Sequence, residues 1–248
     1  MALKIAVITP YYKEPVELLK QCHDSVMTQG VDATHFMVAD GHPLPELAGW
    51  PIEHVVLNRA HADYGNTPRG VGGALARSQG FDFVTYLDAD NWYHPGHLRS
   101  LMAIHEQTGA DVCCTSRTFH RPDQSQLSVE EALEESRVHV DTNCLMLSRA
   151  AYEVLDVWLQ MPKQLAAIGD RVVFASVRHR RFKVAHTQQR TVAYRTLHAN
   201  HYHLAGEALP PDVKQPSWQP CVAWLQTQQG VVNCQNSIGF WPKPYLTA

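Results

Sequence analysis

In the first half of the chain, short apolar runs alternate with longer stretches of helical spacing. Residues 5–8 (Ile-Ala-Val-Ile) are a strand-length apolar run, the pattern of a buried first strand. Residues 15–28 bring Val16, Leu19, Cys22 and Val26 near one face of a helix, with Pro15 at an early position and Gly30 as a stop. Further strands are predicted at 36–39, ending in Asp40-Gly41, and at 54–57. Residues 68–79 are glycine-rich and helical from Gly72. A fourth strand at 83–87 ends in Asp88-Ala89-Asp90-Asn91, a helix covers 95–108 and a strand covers 112–116. This alternation predicts α/β architecture.

The second half is less regular. It reads as an acidic helical stretch at 129–137, a strand at 144–147, helices at 149–159 and 169–178, and a strand at 183–186. After Gly206 the chain is rich in Pro, Gln and Trp. It is expected to pack over the body as a tail, because Trp218, Trp224 and Trp241 need burial. The length of 248 residues suits one domain, and 45% hydrophobic residues suffice for a full core. Residues 1–100 and 101–205 read as the two halves of that domain, and 206–248 as the tail.

The net charge of −3 argues against a nucleic-acid binder, whose footprint is basic. Six cysteines without a Cys-x-x-Cys pair, two of them adjacent (Cys113 and Cys114), point to buried thiols in a reducing cytoplasm. No signal-peptide pattern, no Asn-x-Ser/Thr sequon and no apolar run of membrane-spanning length is present, so no integral membrane segment is expected. His94-Pro95-Gly96-His97 has no second ligand pair at zinc spacing and reads as the lead into a helix.

The chemistry concentrates at strand ends. Asp88 and Asp90, two apart after an apolar strand, fall at its carboxyl end, where open α/β sheets bind ligands. Two close carboxylates repel unless a cation separates them, and a hard ion such as Mn²⁺ or Mg²⁺ fits oxygen ligands. Such an ion would act as a Lewis acid on a diphosphate leaving group. Tyr11, after the first strand, is positioned to stack on a base, and Asp40 to accept a hydrogen bond from a base or ribose. Arg69 offers positive charge for an anion beside a glycine-rich helix start.

Thr9-Pro10-Tyr11-Tyr12, Asp40-Gly41 and Asp88-Ala89-Asp90 together resemble glycosyltransferase family 2, whose members have the GT-A fold. The resemblance covers roughly residues 4 to 100. It implies a mixed central sheet flanked by helices, and an inverting sugar transfer from a nucleoside-diphosphate sugar, usually a UDP-sugar, to an acceptor hydroxyl. It also implies that Thr9, Pro10, Tyr11 and Asp40 bind the nucleoside, with Arg69 near it. Asp90 is then the firmer metal ligand, and Asp88 serves the metal or the ribose. An inverting transfer needs a base. The family often has Glu-Asp at a helix start. Here the match is Gly169-Asp170, lacking the Glu, and Asp170 is the candidate base, with Asp141 second. GT-A enzymes often complete the metal shell with a C-terminal histidine. His201 is the first candidate here, His198 and His203 being the alternatives, and Arg190 and Arg195 add positive charge nearby.

Two rival readings are a nucleotidyltransferase and a non-catalytic nucleotide-sugar-binding module. Thr-Pro-Tyr-Tyr-Lys after the first strand lacks the glycine-rich loop of the former, and the missing acidic residue before Asp170 supports the latter.

Overall fold

The first strand, β1 (Ile5–Tyr11), is buried along its whole length, as its apolar run demands of a strand covered on both faces. In the computed structural model, which describes residues 3–129, 139–215 and 218–246, β1 pairs in parallel with β2 (Ala33–Ala39) on one side and β4 (Phe83–Tyr86) on the other. A further parallel strand, β3 (Glu53–Val56), lies beyond β2. Helix α1 (Val16–Met27) links β1 to β2, and α2 (Asn66–Ser78) links β3 to β4. The chain steps outward from β1 to β3 and then returns past β1 to β4. Right-handed crossovers therefore place α1 and α2 on opposite faces, and the reversal opens a crevice at the strands' carboxyl ends.

The remaining strands are β5 (Trp92–Tyr93), β6 (Val112–His120), β7 (Gln126–Leu127), β8 (Leu145–Ser148) and β9 (Val184–Arg195), with α3 (His97–Thr108) between β5 and β6. Antiparallel β8 sits between β4 and β6, β9 runs parallel to β6, and β5 closes the far edge. The sheet order is β3-β2-β1-β4-β8-β6-β9-β5, with β7 paired to β6, so the sheet is mixed. After β8 come a 3₁₀ segment, Arg149–Asp156, then α4 (Val157–Gln160) and α5 (Gly169–His179). Helices α6 (Ala199–Ala205), α7 (Gln219–Leu225) and α8 (Gln228–Ile238) follow β9.

Several boundaries differ from the sequence pattern. Strand β1 runs on through Pro10 and Tyr11. Pro10 stands beyond Ile8↔Tyr86, the last β1–β4 pair, where a missing N–H on that side is tolerated. Helix α2 begins at Asn66 rather than Gly72, so Arg69 lies inside it. The helix expected at 149–159 is mostly 3₁₀. Strand β9 spans 12 residues instead of four, its exposed polar middle hiding the apolar ends. Of the acidic stretch 129–137, all but Val129 lies outside the described residues. The tail does cover the body: Cys221, Leu225, Cys234, Ile238 and Phe240 join the main core, with Trp224 and Trp241 against it. Trp218, expected to be buried, is instead 54% exposed.

Candidate active site

A cavity of about 410 Å³, within the range of small-molecule sites, opens at the carboxyl ends of β1, β2 and β4. Its lining includes Pro10, Tyr12, Asp40, Arg69, Asp88 and Asp90. These residues, from four separate sequence regions, thus meet where the strand order reverses.

Asp88 and Asp90 have different surroundings. Asp88 forms an ion pair with Arg69, its second oxygen accepts from Asn143 Nδ2 (3.0 Å), and its amide donates to Asn143 Oδ1 (2.5 Å). Asn143 in turn donates to Asp141, which is paired with buried Arg117. Among the described residues Asp90 has no ion pair. Burial, then the charges of Asp88 and Glu14, push its carboxyl up to about 7. A half-buried carboxylate with two acidic neighbours is a place where a cation would be stabilised.

Alternate residues of β1 turn away from the cavity, as the period of two requires. Thr9 is fully buried, with its Oγ1 2.7 Å from His35 Nε2. It does not line the cavity, which corrects its expected contact with the nucleoside. Tyr11 reaches the cavity wall, but only 2% of it is exposed, and its ring packs with Leu19, Met37 and Leu47. Its hydroxyl accepts from the Leu44 amide and lies 2.6 Å from His54 Nε2. The ring is therefore a core element rather than a stacking platform, and Tyr12, 40% exposed, is the aromatic side chain available at this strand end. Asp40 is 5% exposed and accepts from the amides of His61 (3.0 Å) and Ala62 (3.4 Å), with His61 Nδ1 also 2.9 Å away. It fastens the loop before α2.

That loop is a feature the sequence patterns did not single out. Ala62, Tyr64 and Gly65 have φ of 53°, 61° and 79°, and residues 62–65 all line the cavity. A Cβ on Gly65 would meet Pro10 and Arg69 at 3.1 Å, so the loop lies directly against the end of β1. Arg69 Nη1 donates to the Tyr64 carbonyl (2.8 Å). Asn143 and Tyr194 were also not expected here. The first lies two residues after Asp141, and the second is carried in from β9, with Arg117 over its ring at 4.4 Å.

Other expected site residues also lie outside the cavity lining. Asp170, in the first turn of α5, pairs with His139 Nε2 at 2.6 Å. Burial raises its carboxyl, but the charge and hydrogen bond of His139 outweigh that and hold it well below the usual carboxylate range. Asp141 is 7% exposed and tied to Arg117 and the Asn143 amide. His201 packs 4.5 Å from Phe119, with Nδ1 2.7 Å from Thr196 Oγ1. This does not match its expected place in a metal shell with Asp90. Among the described residues no three His, Cys, Asp or Glu side chains gather as a metal-holding group. His198 stacks beside cavity-lining Tyr194, and its buried Nδ1 has no hydrogen-bond partner among the described residues. His203 is exposed. Arg195 donates to the carbonyl of Asp90 (3.0 Å) and Arg190 to that of Arg117, so both brace backbone.

The Glycosyl transferase family 2 model matches residues 6–143, more than half of the chain. The chain belongs to this family. The succinoglycan biosynthesis protein ExoW of Rhizobium meliloti (strain 1021) is 33% identical over 122 residues, covering 45% of this chain and 36% of ExoW. The match thus spans about a third of that relative. A crystal structure of S. aureus TarS 1-349 in complex with UDP-GlcNAc superposes with a TM-score of 0.65 at 13% identity, covering 95% of this chain and 67% of that one. The TarS 1-349 complex with UDP gives 0.61 at 13% identity, covering 82% and 63%. This likeness establishes the GT-A glycosyltransferase fold.

Proposed function

We propose that this family 2 protein transfers a sugar from a nucleoside-diphosphate sugar, with UDP as the nucleotide, to an acceptor hydroxyl with inversion. The observation that carries the reading is the cavity at the sheet's switch point, where Asp88, neutralised by Arg69, stands beside an Asp90 that has no ion pair among the described residues and whose carboxyl is raised by burial and by Asp88 and Glu14. TarS structures of the same fold contain UDP and UDP-GlcNAc, which supports UDP as the nucleotide.

Asp90 would hold Mn²⁺ or Mg²⁺, with Asp88 assisting, and the oxygen-only donor set suits either ion. The bound ion would supply Lewis-acid neutralisation of the departing diphosphate. Arg69 and the Asp88–Asn143 bonds keep the protein's own charges oriented around that group. Asp170 takes the acceptor's hydroxyl proton as its oxygen bonds to the anomeric carbon and the bond to the diphosphate breaks. His139 keeps Asp170 ionised, which keeps it ready to accept a proton but weakens it as a base. All six cysteines are buried and none is in a disulfide, which supports a reducing cytoplasm, and no described helix is long and apolar enough to cross a membrane.

Isothermal titration tests the reading. UDP is expected to bind the wild type, about tenfold or more tightly with Mn²⁺ present, and Asp90→Ala is expected to lose that enhancement. Binding indifferent to Mn²⁺, or an unaltered Asp90→Ala, would remove the metal from the site.

A further inference from the structure

The two carboxylates of the Asp-x-Asp pair are held in different ways. Asp88 is fixed through its own groups, since Asn143 bonds both its side chain and its amide. Asp90 has no ion pair among the described residues, so its direction depends on the backbone that carries it. That backbone is pinned at the peptide joining Asp90 to Asn91. The N–H of this peptide donates to the Asp88 carbonyl at 3.0 Å, and its C=O accepts from Arg195 Nε at 3.0 Å.

Arg195 does more than brace one carbonyl. It ends β9, and β5, which directly follows Asn91, pairs with that strand through Trp92↔Ala193. The Arg195 amide donates to Asn91 Oδ1 at 2.8 Å. Each guanidinium nitrogen then donates to a different element. Nε takes the Asp90 carbonyl, Nη2 takes Gln21 Oε1 of α1 at 2.8 Å, and Nη1 takes the Pro122 carbonyl between β6 and β7 at 2.5 Å. The guanidinium also lies 5.4 Å from the centre of the Trp92 ring. The two outer anchors are joined to each other, because Gln21 donates to Gln124 Oε1 at 3.0 Å. A rigid planar fork can join three acceptors in fixed directions, which a lysine ammonium cannot reproduce.

We infer that Arg195 is a positioning residue, fixing the turn from which Asp90 would reach a cation and so controlling the metal-dependent part of donor binding. Helix α1 and the β6–β7 turn act on Asp90 only through this side chain's fork. The inference rests on the cavity being a metal-assisted nucleoside-diphosphate-sugar site.

Arg195→Lys separates the fork from its charge, because it keeps the charge but puts a methylene where Nε donated. UDP in EDTA is expected to bind this variant within about twofold of wild type, while the strengthening of binding by Mn²⁺ falls about three- to tenfold. Hydrogen exchange in EDTA supplies a readout that needs neither metal nor transfer. Amides at residues 88–91 are expected to exchange at least about tenfold faster in Arg195→Lys than in wild type. Gln21→Ala keeps Nε and removes one anchor, and is expected to speed the same amides about two- to threefold, so the inference stays testable should Arg195→Lys fail to fold. Full Mn²⁺ strengthening in Arg195→Lys, unchanged exchange at 88–91 in both variants, or equal weakening of UDP with and without Mn²⁺ would overturn it. A wild type whose UDP binding ignores Mn²⁺ would instead remove the metal reading, and with it this role for Arg195.

Discussion

Two carboxylates two residues apart have opposite electrostatic roles because their neighbours differ. Asp88 is matched by Arg69 and Asn143, and costs the fold little. Asp90 is half-buried beside Asp88 and Glu14, which raises its carboxyl from 3.8 to about 7. Between those values the folded protein binds a proton that the unfolded chain does not, so this group lowers stability as pH rises through about 4 to 7. The rise corresponds to at most ~4 kcal/mol, and solvent reaching the carboxylate reduces that to about 1–2 kcal/mol. In EDTA, Asp90→Asn is therefore expected to unfold at higher urea than wild type at pH 8 and at the same urea at pH 4. A variant no more stable than wild type at pH 8 would mean that Asp90 is compensated in the metal-free protein. Spacing identifies the Asp-x-Asp pair but not its inequality, since the deciding partners stand 19 and 55 residues away.

Helix α2 can position Arg69 only because it lies unusually close to the sheet. Gly72 makes this possible: a Cβ there would meet Ile8 Cγ2 at 2.6 Å and Val38 Cγ2 at 3.1 Å. Both are β-branched side chains of central strands and have little room to yield. Gly72→Ala is expected to cost about 1–3 kcal/mol in urea unfolding, despite alanine's better helix propensity, and to weaken UDP binding by lifting Arg69 one turn away. An unchanged midpoint would show that the helix can shift freely. The glycine richness of 68–79 is visible in the sequence, but its cause is not, because the contact partners belong to two other elements. The first four strands were legible because each is a compact apolar run. Strands β5 and β7, of two residues each, are too short to show a period. Helices α7 and α8 are hard to read because Gln, with Pro in α7, dilutes their apolar faces, although Leu225 and Ile238 still reach the core, and α6 is a seven-residue stretch in which Asn and His interrupt the apolar positions.

Across the whole molecule the cavity draws mostly on the first half of the chain, which is joined to the second at several places, among them Asp88 with Asn143, Tyr86 with Trp158 and Asn66 with Ala166. The cavity is built mainly from residues before 91, with Tyr194 added from β9. Asp170 comes from the second half, yet it follows Gly169, where a Cβ would come within 2.6 Å of Asn66 Oδ1 in the first turn of α2. Asn66 also donates to the carbonyl of Ala166, so the start of α5 is held against the start of the helix that carries Arg69. The glycine in place of the family's glutamate therefore has a steric reason, since any side chain at 169 would displace this joint. That removes the main support for a non-catalytic module without requiring an acid at 169. If the first hundred residues hold the donor and Asp170 serves the acceptor, binding and turnover should separate. Asp170→Asn, which keeps a hydrogen-bonding partner for His139, is expected to bind UDP with Mn²⁺ like wild type while losing about 10²–10⁴-fold in transfer rate. Transfer at the wild-type rate would exclude Asp170 as the base. Lost UDP binding would instead show that the joint at Gly169 transmits damage into the donor site.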